Sequence, residues 1–474
     1  MHYFIISLGC PKNTVDTESM GCLLNASGHE PVADPDQADL LLVNTCGFIA
    51  SARAESIQVL SELAAGKRPG QRLIAAGCLS QREGAALARH VQGLDGILGT
   101  RRWAEVLDLI AALDRGRPGS RSDSAVLVGD APGECTAYAA PGLDAGAPRV
   151  AQQGGSAYLK IADGCSAPCA FCAIPAIKGP LRSRTVDEVV ADARLLAERG
   201  VLELVLVAQD TTAYGRDRRE LDALPALLDA LVEAVPQVPW IRLMYAYPQH
   251  ISARLIETMA RHPQVVPYLD LPLQHAHPDT LRRMRRPANV DRVRALIARL
   301  RRAMPQIALR TAFIVGYPGE TDAEFRALEA FLRDCEFDKV GVFTYSPEVG
   351  TPAYDLPDPV PDSVKQERYD RLMSVQQGIS LARNMEQVGR RLRVLVEGQG
   401  QVEYEGTDPG EESLAMISVG RSYRDAPEID GLVLIEAPNN VPGDRSGDIP
   451  AAGQMVEVEV TAAMEYDLLA EIRA

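Results

Sequence analysis

The sequence predicts an α/β chain in three parts: an N-terminal open parallel sheet, a central partial barrel of six βα units, and a small C-terminal antiparallel β-barrel. Three observations predict it. Short apolar runs alternate with amphipathic stretches up to about residue 113. The same alternation resumes at Ala157 and repeats six times. From Gly389 the helical patterns stop, and short strands with Gly, Pro and Asp turns take over.

The elements follow in order. "YFIISL", "DLLLVN" and "RLIAAG", starting at Tyr3, Asp39 and Arg72, are unbroken apolar runs of the kind buried parallel strands show. Thr14–Ser27 and Ser51–Ala65 are the amphipathic stretches between them. Residues 114–153 are rich in Gly, Pro, Ala and Asp and read as a linker. Six strands are expected from Ala157, Leu202, Trp240, Val266, Ala308 and Asp338. Helices are expected at Val186–Arg199, Leu221–Val235, Ile251–Arg261, Val290–Met304 and Asp322–Cys335. A long helix from Asp362 to about Gln387 closes this part. "RLRVLVEGQ", "LAMISVG", "GLVLIEA" and "QMVEVEVTAA" are the strands of a small barrel. The boundaries expected are 1–113, a linker 114–153, 154–387 and 388–474.

With 474 residues, 46% hydrophobic and 24% charged, the chain is ordinary globular material for several cores. It has no apolar run of eighteen residues, so no membrane span is expected. "MHYFIISLGC" has no basic n-region and reads as a strand, not a signal peptide. A cytoplasmic location is expected, where thiols stay reduced and nine cysteines point to metal or catalysis before disulfides. The net charge of −15 argues against a generally nucleic-acid-binding surface.

"DGCSAPCAFCAIP" places Cys165, Cys169 and Cys172 within eight residues, on the loop after the first barrel strand. Barrel enzymes carry their active sites on such loops. Three thiolates can grip three irons of a 4Fe–4S cube and leave the fourth iron open for chemistry. Zinc is the rival, but it generally takes paired CxxC units and a fourth ligand, which do not follow here. Three inert thiols in a turn is the bland alternative. A second set comes from the N-terminal part, whose three strands each end at a cysteine: Cys10, Cys46 and Cys78. Ligands of open α/β sheets bind outside the carboxyl ends of the strands, so these thiols are expected to converge. Singly, each would be an ordinary buried Cys. Cys22, Cys135 and Cys335 fit no pattern.

The CxxxCxxC word, with Phe171 before its last Cys, resembles the radical S-adenosylmethionine (SAM) enzymes. The resemblance implies a 4Fe–4S cluster that binds and reductively cleaves SAM. It implies SAM contacts at Phe171, at Gln209 and Asp210 in "VAQDTTAYG", and at Gly316 and Gly319 in "FIVGYPGET". Plain turn chemistry is the competing account of the last two stretches. The two-site layout with a terminal small barrel resembles the methylthiotransferases, which carry two 4Fe–4S clusters and end in a TRAM domain. "SLGCPKNTVDTE", "NTCGFI", "LRSR", "YAYPQHI" and "DLPLQHAHPDTLRRMRR" resemble the RimO branch, which methylthiolates an aspartate of ribosomal protein S-twelve. Ala50 departs from that branch, where Asp is expected.

The resemblance implies a radical that removes hydrogen from the aspartate β-carbon, followed by transfer of a methylthio group from the second cluster. It names no general base, so no catalytic side chain is assigned. The implied partners are S-twelve, free or within the small ribosomal subunit, and an electron donor such as flavodoxin or ferredoxin; the chain is expected to act as a monomer. The alternatives are a tRNA adenosine methylthiotransferase and, less well supported, a non-enzymatic iron–sulfur carrier. Two further stretches raise expectations. Residues 281–304 hold nine Arg against one acid and read as a solvated helix face, an RNA contact or the SAM carboxylate side of the barrel. "LQHAH" offers His275 and His277 for the active site or for packing. The C-terminal part has seven Arg against seventeen acids, a net of −10. Its acidic turns Glu403–Glu412 and Arg424–Asp430 are expected to face a basic protein.

Overall fold

The computed structural model describes residues 1–115, 125–129, 147–405, 412–436 and 449–472. Its first sheet is wholly parallel. From edge to edge it runs Glu30–Pro31, His2–Ser7, Leu40–Thr45, Arg72–Gly77, Gly96–Gly99 and Ala125–Leu127. The middle strand Leu40–Thr45 is buried at every position because apolar clusters cover both faces. The helix Pro11–Ala26 packs on one face and Ala50–Gly66 on the other.

The second sheet is open and seven-stranded: Lys339–Thr344, Ala308–Val315, Val265–Asp270, Trp240–Leu243, Glu203–Val207, Ser156–Lys160 and Val150–Gln153. All neighbours are parallel except the last pair. Helices Val186–Glu198, Ala223–Ala234, Ala253–Arg261, Val290–Ala303 and Asp322–Cys335 cover its outer face through one large apolar cluster. Four of the five begin at a side-chain cap, Thr185, Ser252, Asn289 and Thr321. Thr185 and Thr321 each close a capping box, with Glu188 and Glu324. Within the stretch read as a linker, Ala125–Leu127 extends the first sheet and Val150–Gln153 the second. Residues 116–124 and 130–146, which include Cys135, lie outside the described residues. Cys335 is buried in the barrel core, and Cys22 packs half-buried against the first sheet's core.

The inner face of the second sheet is filled from two other parts of the chain. Val15 of Pro11–Ala26 joins Tyr158, Val205, Met244 and Tyr268 from one side. Leu395 and Ala426 of the C-terminal part join them from the other.

That C-terminal part is a closed five-stranded barrel in the order Arg391–Glu405, Glu412–Ser422, Val433–Glu436, Leu468–Ile472, Met455–Ala463. Four pairings are antiparallel. Val433–Glu436 and Leu468–Ile472 pair in parallel, which corrects the wholly antiparallel expectation. The strand Leu468–Ile472 supplies the closure, so the barrel has no free edge.

The expectation for the turn Arg424–Asp430 is overturned. Arg424 and Asp425 are buried and pair with Asp338 at 2.9 Å and Lys339 at 2.8 Å. Asp430 accepts from Tyr268 at 2.7 Å and pairs with Arg310 at 3.3 Å. Arg421 joins Arg242 and Ser156 on Glu203, each bond 2.7 Å long except the 2.9 Å from Arg421 to Ser156. All four of these charged residues dock the barrel on the central sheet. They are spent on partners inside the chain. Residues 406–411 of the other acidic turn lie outside the described residues.

Candidate active site

The loop that carries Cys165, Cys169 and Cys172 leaves the short strand Ala162–Asp163 at the carboxyl end of the sheet. Its first turn depends on Gly164, whose φ is +69°. A Cβ there would lie 2.0 Å from the Pro180 carbonyl oxygen. Backbone bonds pin the rest: Cys165 N–H to Gly179 O at 3.0 Å, Ala170 N–H to Met284 O at 2.9 Å, and Ala353 N–H to Ala170 O at 2.8 Å. Arg286 brings a guanidinium nitrogen 3.7 Å from the Cys169 sulfur and stacks over Tyr247 at 4.1 Å. Burial pushes the Cys172 thiol up to about 12 and raises Cys165.

The other three cysteines converge as the strand ends predict. Cys10 caps the helix Pro11–Ala26, Cys46 follows Leu40–Thr45, and Cys78 opens the helix Cys78–Glu83. Close approach is possible because glycines flank them. A Cβ on Gly9 would lie 2.8 Å from the Cys46 Cβ, and one on Gly47 2.7 Å from the Leu79 nitrogen. Asn13 stitches the three loops together. Its amide donates to Leu8 O at 3.0 Å and Thr45 O at 3.1 Å, and its oxygen accepts from the Cys78 thiol at 3.5 Å. Burial pushes Cys78 up to about 12 and also raises Cys46. Burial acts the same way on Cys10, but Lys12 and Lys178 outweigh it and hold that thiol below its ordinary value.

The donor sets fit clusters better than single ions. Zinc–sulfur bonds of about 2.3 Å would draw tetrahedral thiolates to within about 3.8 Å of one another. Among the described residues, no three cysteine sulfurs come within 4.8 Å of one another. Two sets of three thiols, each on glycine-opened loops, suit a larger inorganic core with one metal corner left to a non-protein ligand.

The two sets are joined by buried charge. Asp16, on the first helix, takes Arg149, Lys160 at 2.7 Å and Lys178 at 3.1 Å. Lys160 also pairs at 2.5 Å with Asp163, two residues before Cys165. Lys178 ends the helix Ile174–Lys178 that follows Cys172. Burial opposes the Asp16 charge, yet Lys160, Lys178 and Arg149 hold this carboxyl far below the usual range. Arg101 of the N-terminal part binds Ile177 O at 3.0 Å and Ala176 O at 2.8 Å. Glu348, from the loop after the last central strand, pairs with Arg82 at 2.9 Å and accepts from Ala50 N–H at 2.8 Å. It thus caps the helix Ala50–Gly66 from across the seam. The Ala50 backbone performs this contact, so the departure from Asp at this position leaves it intact.

The remaining sequence-predicted residues take varied places. Phe171 packs half-buried among Ala170, Met284, Tyr317, Tyr345 and Ala353. Gln209 is half-buried at the end of its strand. Asp210 is buried and accepts from Thr212 Oγ1 at 2.7 Å, Ala213 N–H at 3.1 Å and His250 at 3.0 Å, so it builds its own turn. Gly316 and Gly319 have φ of +71° and +72°. The Gly316 N–H is taken by Glu320 at 2.5 Å; the neighbouring Tyr317 is what reaches the cysteine loop. His275 is buried and accepts from His277 N–H, and His277 caps the helix Pro278–Arg283. In the arginine-rich stretch, Arg282, Arg283 and Arg294 pair with Asp279, Glu324 and Asp334. Arg286 turns inward to Cys169. Sequence reasoning missed Lys12, Asn13, Asp16 and Lys178. Their signal was polar side chains within two helical turns after a candidate ligand cysteine.

Three family models match the chain: Uncharacterized protein family UPF0004 over residues 2–99, the Radical SAM superfamily over 159–332, and the TRAM domain over 388–472. Curated proteins named ribosomal protein uS12 methylthiotransferase RimO are similar over full length. The one from Roseiflexus sp. (strain RS-1) is 52% identical over 100% of this chain and 97% of its own. That from Chloroflexus aurantiacus is 50% identical over 99% of both. Among solved structures, the radical SAM methyltransferase TsrM from Kitasatospora setae superposes with a TM-score of 0.54 at 14% identity, covering 85% of this chain and 81% of that one. The cobalamin-dependent SAM radical enzyme OxsB gives 0.50 at 11%, covering 80% and 56%. At these identities the likeness is one of fold.

Proposed function

From the premise that this chain belongs to the RimO family of radical SAM methylthiotransferases, we propose how its residues divide the work on an aspartate of ribosomal protein uS12. Cys165, Cys169 and Cys172 hold one 4Fe–4S cluster, and Cys10, Cys46 and Cys78 hold a second. Bound there, one cluster supplies the electron that cleaves SAM and the other presents the sulfur to be transferred. What supports this reading is that the elements flanking the two sets are joined: Lys178, on the helix after Cys172, pairs with Asp16 on the helix after Cys10, and Arg101 binds that same short helix.

The chain's own residues keep that seam in order. The loop contacts of Ala170 fix the first set, Asn13 fixes the second, and the Asp16 charge cluster locks the two together. Phe171 and Gln209 border SAM, while Asp210, Gly316 and Gly319 shape the loops around it. Val15 packs against the inner face of the central sheet, as a dry site suited to such transfer would require. No helix among the described residues is long and apolar enough to cross a membrane. We place the enzyme in the cytoplasm as a monomer, supplied with electrons by a low-potential donor such as flavodoxin or ferredoxin.

The test combines iron counting with product analysis. Anaerobic reconstitution is expected to give about eight irons per chain, on two cubes of four. Replacing Cys165, Cys169 and Cys172 by Ala is expected to leave about four and abolish SAM cleavage. Replacing Cys10, Cys46 and Cys78 is expected to leave about four and keep cleavage, with no methylthio product. Mass spectrometry of uS12 and tRNA from a strain lacking the gene should show loss on uS12; loss on tRNA alone would reject the substrate.

A further inference from the structure

Of the six lysines in the chain, five close an ion pair with a carboxylate: Lys67, Lys160, Lys178, Lys339 and Lys365. Lys12 does not, among the described residues, although it is 5% exposed. A buried ammonium without a counter-charge is costly. It stands in the first turn of Pro11–Ala26, two residues after Cys10, and its Nζ lies 3.3 Å from the centre of the Tyr245 ring. The side chain therefore spans from the N-terminal cysteines to the mouth of the central sheet.

The platform beneath it is held against its own preference. Tyr245 has φ +58°, the only aromatic among the described non-glycine residues with a left-handed backbone. Its N–H donates to Asp270 at 3.1 Å, and its carbonyl accepts from the Thr211 N–H at 3.1 Å and from Thr211 Oγ1 at 3.2 Å. Such over-determined backbone marks sites where position matters. An ammonium fixed on a ring, beside the Cys10 thiol but with no carboxylate at ion-pair distance among the described residues, fits a carboxylate brought by the substrate.

We propose that Lys12 binds the side-chain carboxylate of the target aspartate and so selects Asp over its neutral isostere. This rests on the reading of uS12 aspartate as substrate. It extends that reading to a specificity residue on the sulfur side of the seam. The carboxylate is the group bonded to the β-carbon that must lie between the two cysteine sets, so a cation placed between them holds the reacting carbon in line.

The test uses the full chain with both clusters reconstituted, SAM present, and labelled uS12-loop peptides carrying Asp or Asn at the target. Wild type is expected to bind the Asp peptide roughly tenfold to a hundredfold more tightly, as a charge-assisted hydrogen bond provides. In K12Q the two affinities should converge, with iron content and SAM cleavage retained. If K12Q does not load iron, K12R gives the second reading. It keeps a cation, so the preference for Asp should persist, and its absence in loaded K12R overturns the assignment. Equal weakening of both peptides by K12Q also overturns it, as does a changed spectrum of the N-terminal cluster with the Asp preference intact. A wild type that binds both peptides alike rejects the substrate reading, and Lys12 with it. A K12Q that still discriminates rejects Lys12 alone.

Discussion

Asn13 and Asp16 show how much a single buried polar side chain can organise. Asn13 ties Leu8, Thr45 and Cys78 together from one position. Asn13→Ala leaves two buried carbonyls unpaired and is expected to cost about 1–3 kcal/mol. Chelator challenge should then strip the N-terminal iron first, with SAM cleavage preserved. Asp16→Asn should do more damage. It leaves Arg149 and Lys178 facing each other without their shared carboxylate, and breaking a buried pair in this way costs about 3–5 kcal/mol. A fall in the urea midpoint of that size is the expected result, and a loss under about 1 kcal/mol would count against a locked seam. Neither residue was legible beforehand. A polar residue in a helix's first turns looks the same whether it faces solvent or a buried carbonyl, and all its side-chain partners here but Leu8 lie 32 to 162 positions away.

Elements were far more legible. The strands covered on both faces must be apolar throughout, so "DLLLVN" and "LELVLVA" could hardly be read otherwise. The long helices announced themselves by period and caps. What escaped was short or marginal: Gly96–Gly99 is half glycine, Ala125–Leu127 is three residues long, and Val150–Gln153 is an edge strand. Cys10, Cys46 and Cys78 were visible because each follows a strand's carboxyl end, and Cys165, Cys169 and Cys172 because three thiols fall within eight residues of one loop. The paired charges of Arg424–Asp430 were misassigned to a partner protein because their partners belong to another part of the same chain. At this scale the sharpest prediction is Gly164→Ala. The added methyl must move the Pro180 carbonyl or abandon φ +69°. The cysteine loop is then expected to lose its cluster, giving about four irons per chain and no SAM cleavage. Full iron loading in that variant would show the turn to be dispensable.

For the whole molecule, Glu203 is where the central sheet and the C-terminal barrel are fastened. Burial alone would raise its carboxyl, but Arg242 and Arg421 hold it down at about 2, against 4.5 for an ordinary glutamate. A depressed carboxylate stabilises the fold fully above its unfolded value, and that contribution is lost as pH falls from about 4.5 towards about 2. The difference corresponds to roughly 3 kcal/mol. Denaturation curves between pH 7 and pH 2.5 should therefore fall more steeply for wild type than for Glu203→Gln, which lacks this titration; parallel curves would contradict the assignment. At the opposite end of the sheet, the five-residue helix Ile174–Lys178 joins the loop of Cys172 to the contacts of Asp16 and Arg101. At 1.5 Å per residue it measures about 7.5 Å. It acts as a gauge block: one inserted or deleted residue would change that length by about 1.5 Å and swing Lys178 by about 100° off its anchor. The working clearance between the two halves is thus cut to size in the covalent chain, and any variant of this enzyme that seeks a larger target must first change the length of that one short piece.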